Sequence, residues 1–237
     1  MNFGIIAAGE GSRLKFENAN ASKPLITVNG TPLIERLFTL AEENGFDSIS
    51  CIINEESNSV KEYISNRKFK IPFNLVIKST PSSLHSFYSL APYLKERPFC
   101  LTTVDSIFNQ DEFIEFINNS IKEINLDGIL AVTDFIDDEK PLCIETDENM
   151  NIKSFYDNAE GHKYATGGIY FFRTDVFTLM EKAINENVMR LRNFLKLLLQ
   201  NNYKIKAFPF SKIIDIDHLK DLQVAEEYIN SLNDTGN

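Results

Sequence analysis

Short apolar runs alternate with stretches of helical periodicity along the first half of the chain, as strands and helices do when they take turns. Phe3–Ala8 is apolar or small throughout and ends at a glycine, which predicts a strand buried on both faces. Pro32 then opens a segment in which Leu33, Leu37, Phe38 and Ala41 recur at helical spacing, and Asn44-Gly45 closes it. Ser48–Ile53 predicts the second strand, and a short helix around Val60, Tyr63 and Ile64 follows. Phe73–Ile77 reads as a strand, and Leu84, Phe87, Tyr88, Ala91 and Leu94 share one helical face. Phe99–Val104 is the next strand, with Phe113, Phe116, Ile117, Ile121 and Ile124 expected on the buried face of the helix after it.

Past Asp127 the rhythm changes. "GILAVTDF" and "PLCIETDENMNIKSFYD" read as strands, the second folded at a polar turn over Asp147–Asn149, and together they predict an antiparallel excursion. "KYATGGIYFF" is a further strand, and helices are expected over Val176–Asn185 and Arg192–Gln200. "IKAFPF" adds a strand, and "KIIDIDHLKDLQVAEEYINSL" runs from a strand into a helix with Leu222, Ala225, Ile229 and Leu232 inward. Such alternation implies βαβ units and a mainly parallel sheet. No repeat, low-complexity tract or linker interrupts it, so one domain over 1–237 is expected, with a frayed tail at Asn233–Asn237.

Composition narrows the function classes. With 237 residues, 43% of them hydrophobic, the chain can bury one large core. A net charge of −10 without any run of Lys or Arg argues against sequence-independent nucleic-acid binding and against an anionic membrane surface. No apolar window long enough to span a bilayer and no signal-peptide pattern is visible, so a cytoplasmic protein is expected. Cys51, Cys100 and Cys143 are far apart and set among apolar residues, which predicts buried thiols and neither disulfides nor zinc. His85, His162 and His218 show no spacing that marks a ligand set or a dyad.

The candidate chemistry starts where the first strand meets "GEGSR". A glycine turn at the carboxyl end of a strand is where α/β proteins hold phosphates. A P-loop is excluded, because no Gly-Lys pair exists, and Leu14 stands where a dinucleotide fingerprint needs its third small residue. What remains is two cations at a fixed distance from that turn, Arg13 and the Lys23-Pro24 pair.

"AAGEGSRL" followed by "KPLITVNGTPLIERL" resembles the opening of the nucleotidyltransferases that make activated sugars and alcohols from a nucleoside triphosphate and a phosphate monoester. The resemblance extends along almost the whole chain: "STPSSLHSF" stands where that family holds the base, Val104-Asp105 where a strand ends in a magnesium-binding acid, "ATGGIYFF" where a strand faces the acceptor phosphate, and "IIDIDHLKDL" where a second metal acid lies. It implies a Rossmann-like three-layer α/β/α fold with a mainly parallel central sheet and a small antiparallel excursion. Carried over residue by residue, it implies nucleotide contacts from Ala7, Ala8, Gly9, Glu10, Gly11, Ser12, Thr80, Ser82 and Leu84. Arg13 and Lys23 become the catalytic cations, Gly168 the acceptor contact, and Asp105, Asp215 and Asp217 the ligands of Mg²⁺.

The same residues make sense without the resemblance. Joining two polyanions is opposed by repulsion and misalignment, so a cradle of backbone amides, cations and a hard metal ion are what the reaction needs. Glycines let the backbone approach phosphates, Arg13 can fork two oxygens, and Lys23 acts as a point charge. Plainer roles stay open at this stage: Asp105 as a loop acceptor, Asp217 as the cap of the last helix, and Thr80, Ser82 and Ser83 as its counterpart before Leu84. One departure stands out. The Glu-Lys-Pro that sugar-nucleotide enzymes carry after the central excursion is replaced by "SFYDN", and Glu139-Lys140-Pro141, before it, reads as a decoy turn.

The resulting expectation is Mg²⁺-dependent transfer of a nucleoside monophosphate from a triphosphate to a sugar 1-phosphate, releasing pyrophosphate. A cytidylyltransferase acting on phosphocholine is the alternative acceptor reading, supported by a "DID-x-L-x-D-L" ending and weakened by the absence of Trp for a cation–π box. A nucleotide-binding regulatory domain without turnover is the alternative of a different class. Homo-oligomerisation is compatible with all three.

Overall fold

A computed structural model describes residues 1–9 and 22–235 of the chain. Its centre is a nine-stranded mixed sheet. On one side lies a parallel half built from β1 (Asn2–Ala7), β4 (Ser48–Ile53), β5 (Phe73–Ile77) and β6 (Phe99–Thr103), with β1 paired to both β4 and β6 and β5 at the edge. On the other side β11 (Tyr164–Phe172) runs antiparallel between β6 and β8 (Gly128–Thr133), and β12 (Ile205–Phe210) pairs parallel to β8. The hairpin of β9 (Cys143–Thr146) and β10 (Ile152–Tyr156) attaches to the start of β11.

Alternation along the strands sorts side chains into two cores, one on each face. Phe3, Ile5, Cys51, Cys100, Ala131 and Phe171 belong to one cluster, whereas Ile6, Ile52, Leu101, Leu130 and Phe172 belong to the other. The first is covered by α1 (Leu33–Glu43), α2 (Asn58–Ser65), α5 (Gln110–Lys122) and α8 (Leu219–Thr235). The second is covered by α3 (Ser83–Ser89), α4 (Ala91–Leu94), α6 (Val176–Asn185) and α7 (Leu191–Gln200). This is the expected three-layer α/β/α arrangement. Among the described residues no helix is long and apolar enough to cross a membrane.

Two expectations need correcting. Ile121 and Ile124 are not on the buried face: they are 52% and 73% exposed, because α5 stops at Lys122 and Ser120 takes the inward position of its last turn. The apolar period in the sequence simply outruns the layer it packs against. The helix expected through Leu94 is instead two, α3 and α4, meeting at Leu90 just before Pro92 enters the second one. The three cysteines are buried thiols, as composition suggested.

What matters for the site is where the chain leaves the strands. β1 and β6 run side by side, so Gly9 and Asp105 emerge from the same carboxyl edge of the sheet, tied by the Val104 N–H donating to the Ile6 carbonyl at 3.1 Å. A two-stranded ribbon rises above it. Its strands are β7 (Ser106–Phe108) and β13 (Ile213–Asp215), paired antiparallel with Asp215 opposite Ser106. β13 is the strand expected before the last helix, whereas β7 is too short to announce itself as a periodic pattern. A smaller ribbon, β2 (Thr27–Val28) with β3 (Thr31–Pro32), turns the chain at Asn29-Gly30, both at positive φ, so that it enters α1.

Candidate active site

Lys23 begins a short 3₁₀ turn, Lys23–Leu25, in which the Leu25 N–H donates to the Ser22 carbonyl and Pro24 is buried. Proline fixes the backbone of that turn, which aims the lysine inward. Its ammonium lies 2.5 Å from Asp105 Oδ2 and 2.8 Å from Asp217 Oδ1, with the lysine side chain only 9% exposed. The sequence separation of 194 between Lys23 and Asp217 shows that tertiary folding alone makes this contact. Burial by itself would favour the neutral amine, but the carboxylates of Asp105 and Asp217 outweigh it and hold Lys23 charged far above the neutral range. Burial likewise pushes the Asp105 carboxyl up, and Lys23 reverses this, leaving it below its ordinary value.

Asp215 sits beside this pair under opposite influences. It is pushed up to about 7, first by burial, then by the Asp105 charge, against which a hydrogen bond from Ser106 Oγ at 3.0 Å is too weak. Ser106 Oγ also bonds Thr103 Oγ1 at 2.9 Å, so a chain of two hydroxyls orients the carboxyl. Gly168 closes the same nest. Its φ is +73°, and a Cβ there would lie 2.4 Å from Ser106 Oγ and 2.5 Å from Thr103 Oγ1, so no side chain fits. Gly168 is thus occupied in making room for the hydroxyls, while its neighbour Gly167 lines the adjoining cleft.

Asp217 lies two residues before the start of α8. The carboxylate of Asp221, 7% exposed, accepts the N–H groups of Asp217 and His218 at 2.9 and 2.6 Å, which satisfies donors at the helix entrance. With these amides held by Asp221, an oxygen of Asp217 reaches Lys23.

Of the predicted cradle, Ala7 is buried at the end of β1, Ala8 is half-buried, and Gly9 is exposed, with no described residue within 4 Å of where a Cβ would stand. Glu10, Gly11, Ser12 and Arg13 lie outside the described residues. The segment expected to hold the base is pinned from both ends: Thr80 Oγ1 bonds Ser86 Oγ at 2.6 Å, and Ser82 Oγ bonds His85 Nδ1 at 2.9 Å. Ser82 Oγ also accepts the N–H of Arg190, a residue at φ +69°, and Ser83 Oγ accepts the N–H of Leu191. Those serines therefore join the entrances of α3 and α7. Leu84 is fully buried in the second core, so only its backbone remains for a ligand.

Beside Asp215 and Asp217 opens a cleft of about 670 Å³ including its mouth. It is lined by β11 at Ala165, Thr166 and Gly167 and by the loop after β8, with Phe135 to Glu139 and Pro141. Sequence reasoning set Glu139-Lys140-Pro141 aside as a decoy, yet Glu139 and Pro141 face the cleft. The only signal was the tripeptide itself, at an unfamiliar place in the chain. Among the described residues, no three carboxylate, imidazole or thiol side chains already converge closely enough to enclose a metal ion.

The chain matches the profile of the Nucleotidyl transferase family over residues 4–231. It is 23% identical to a D-glycero-α-D-manno-heptose 1-phosphate guanylyltransferase of Campylobacter jejuni, over 96% of this chain and 97% of that one. It is 26% identical to the bifunctional protein GlmU of Methanocaldococcus jannaschii, covering 95% of this chain but 53% of the relative. Among solved structures, the inositol-1-phosphate CTP transferase from T. maritima superposes with a TM-score of 0.80 at 21% identity, covering 95% of this chain and 93% of that one.

Proposed function

Because the chain belongs to the nucleotidyl transferase family, we propose that it transfers a nucleoside monophosphate from a nucleoside triphosphate to a sugar 1-phosphate, with Mg²⁺, releasing pyrophosphate. The observation that carries this reading is the Lys23 ammonium held between Asp105 and Asp217 at the carboxyl edge of the sheet, beside a cleft. The acceptor phosphate oxygen attacks the α-phosphorus, its P–O bond forms, and the bond to pyrophosphate breaks. No protein nucleophile takes part. Lys23 supplies positive charge to the phosphates as their oxygens crowd together, and a glycine at position 9 lets the backbone approach the nucleotide.

The donor set suits magnesium, a hard cation that takes one or two carboxylates and completes its shell with phosphates and water. Asp105 and Asp215, with Asp217 beside them, are the residues that would hold it; a protonatable Asp215 next to a half-buried Asp105 marks excess negative charge that a cation would relieve. Held there, the ion would supply positive charge to the phosphates and to the pyrophosphate leaving group. Ser106 and Thr103 keep the Asp215 carboxyl oriented, and Asp221 keeps the Asp217 segment folded back toward Lys23.

Pyrophosphate release tests this directly, with Mg²⁺, four nucleoside triphosphates and a panel of sugar 1-phosphates. Release with at least one pair, lost in Asp105→Asn and on chelation, is expected. Binding of triphosphate without release for any acceptor would instead favour a nucleotide-sensing domain.

A further inference from the structure

Asp105 and Asp215 come from distant parts of the chain, one from the turn after β6 and the other from the end of β13. Between them stand two hydroxyls. Val104 and Asp105 form the turn that carries β6 into β7, so Thr103 and Ser106 flank it and their side chains meet, Oγ1 to Oγ at 2.9 Å. Ser106 lies opposite Asp215 across the ribbon and donates to its Oδ1 at 3.0 Å, while the Thr103 hydroxyl serves Asp105. Ser106 is 3% exposed, and Gly168 leaves room for both hydroxyls, so the Ser106 end of this bridge is shielded from water.

The result is a series of links, from Asp105 to Thr103 to Ser106 to Asp215. Position is passed from one end to the other, and cutting any link frees both ends. Ser106 occupies one oxygen of Asp215 and leaves the other for a cation, so the bridge and a metal need not compete for the same lone pairs. What the bridge limits is how far the two acids can separate. Magnesium demands a small, near-ideal octahedral shell, whereas calcium takes longer bonds and irregular coordination, so a fixed pair of acids favours the smaller ion.

We propose that Thr103 and Ser106 are positioning residues that brace Asp105 against Asp215 and so make the site select Mg²⁺ over Ca²⁺. The proposal rests on the magnesium reading of these acids and adds to it the residues that set the choice of ion. Both hydroxyls act through the carboxylates rather than on the substrate.

Titration of the whole protein with Mn²⁺, followed by the electron paramagnetic resonance of the free ion, reads this without turnover, and competition by Mg²⁺ and by Ca²⁺ reads the selectivity. Asp215→Asn marks the site, and Mn²⁺ binding is expected to be lost in it. Ser106→Ala and Thr103→Val are each expected to weaken Mn²⁺ and Mg²⁺ by about tenfold and Ca²⁺ by less than about threefold. Links in series fail together, so the double variant should fall within about threefold of the weaker single variant, where independent effects would multiply. Thr103→Ser, which keeps the hydroxyl and gives up the methyl, should match the parent, with thermal melts as the check that each variant folds. Unchanged affinities, an unchanged Mg²⁺-to-Ca²⁺ ratio, losses that multiply, or a Thr103→Ser variant as weakened as Thr103→Val would overturn the bracing while leaving the metal site intact. Mn²⁺ binding that survives Asp215→Asn, or none in the parent, would overturn the metal assignment along with it, and pyrophosphate release decides nucleotidyl transfer separately.

Discussion

Among the described residues, two half-buried cations, Arg67 and Lys23, each face two carboxylates, and they serve opposite ends. Arg67 lies among Glu35, Glu42 and Tyr63: it forks Glu42 at 2.8 and 3.1 Å, bonds Glu35 at 2.9 Å, and stacks 4.5 Å over the ring of Phe69 and 5.2 Å from that of Phe38. The excess negative charge there is absorbed by further donors, the Tyr63 hydroxyl on Glu35 and the Lys70 N–H on Glu42. Lys23 bonds single oxygens of its partners, and a third carboxyl, Asp215, stands by with burial and Asp105 opposing its ionisation. One cluster is saturated and closed. The other is left short of positive charge, which is what a site needs if phosphates and a divalent ion are to enter it.

Asp105→Asn should break the open cluster with the largest effect, lowering kcat by about a thousandfold while the fold persists, as read by steady-state kinetics beside a thermal melt. In the closed cluster the order reverses. Arg67→Ala strands Glu42, 3% exposed, without its charge partner and is expected to lower stability by about 3–5 kcal/mol. Chemical denaturation measures this, and activity per folded molecule should stay within about threefold of the parent.

Asp215 sharpens the contrast through pH. Its carboxyl is raised to about 7 in the folded protein, so its contribution to stability is fully present below the unfolded value near 4 and is lost as pH rises through 7. Asp215→Asn removes that loss. Without ligands, the variant should melt about 2–6 °C above the parent at pH 8, and the difference should vanish below pH 4. A difference that grew on acidification would contradict the assignment. The smallest effect is expected from Arg67→Lys, which keeps the charge but gives up the fork and the stacking, at about 1–2 kcal/mol in the same denaturation experiment.

The fold was legible wherever a segment had its own period. Val176–Asn185 appears as expected, and so do Ser48–Ile53 and Phe73–Ile77, because each buries one stripe or both faces within a single element. Less could be read where pairing, not period, makes the structure. The three-residue strand Ser106–Phe108 exists because it completes the hydrogen bonds of the expected strand Ile213–Asp215, and Ile121 stayed apolar in a pattern that the core did not follow. In the site, Lys23, Asp105 and Asp217 were named from motif and resemblance, and they meet. Glu139 and Pro141, set aside as part of a decoy turn, line the cleft beside them.

The order of strands and helices, the buried cysteines, the glycine turn after the first strand and the family itself were all determined by local pattern and composition, since these depend on near neighbours and on residue type. Which face of each carboxylate met a cation was not. The Lys23 clamp joins residues 194 apart, the Gly168 nest depends on hydroxyls from Thr103 and Ser106, and the cleft draws its lining from the loop after β8, from β11 and from the entrance of α8. Electrostatic role is a property of distance and burial, and only the tertiary structure sets those.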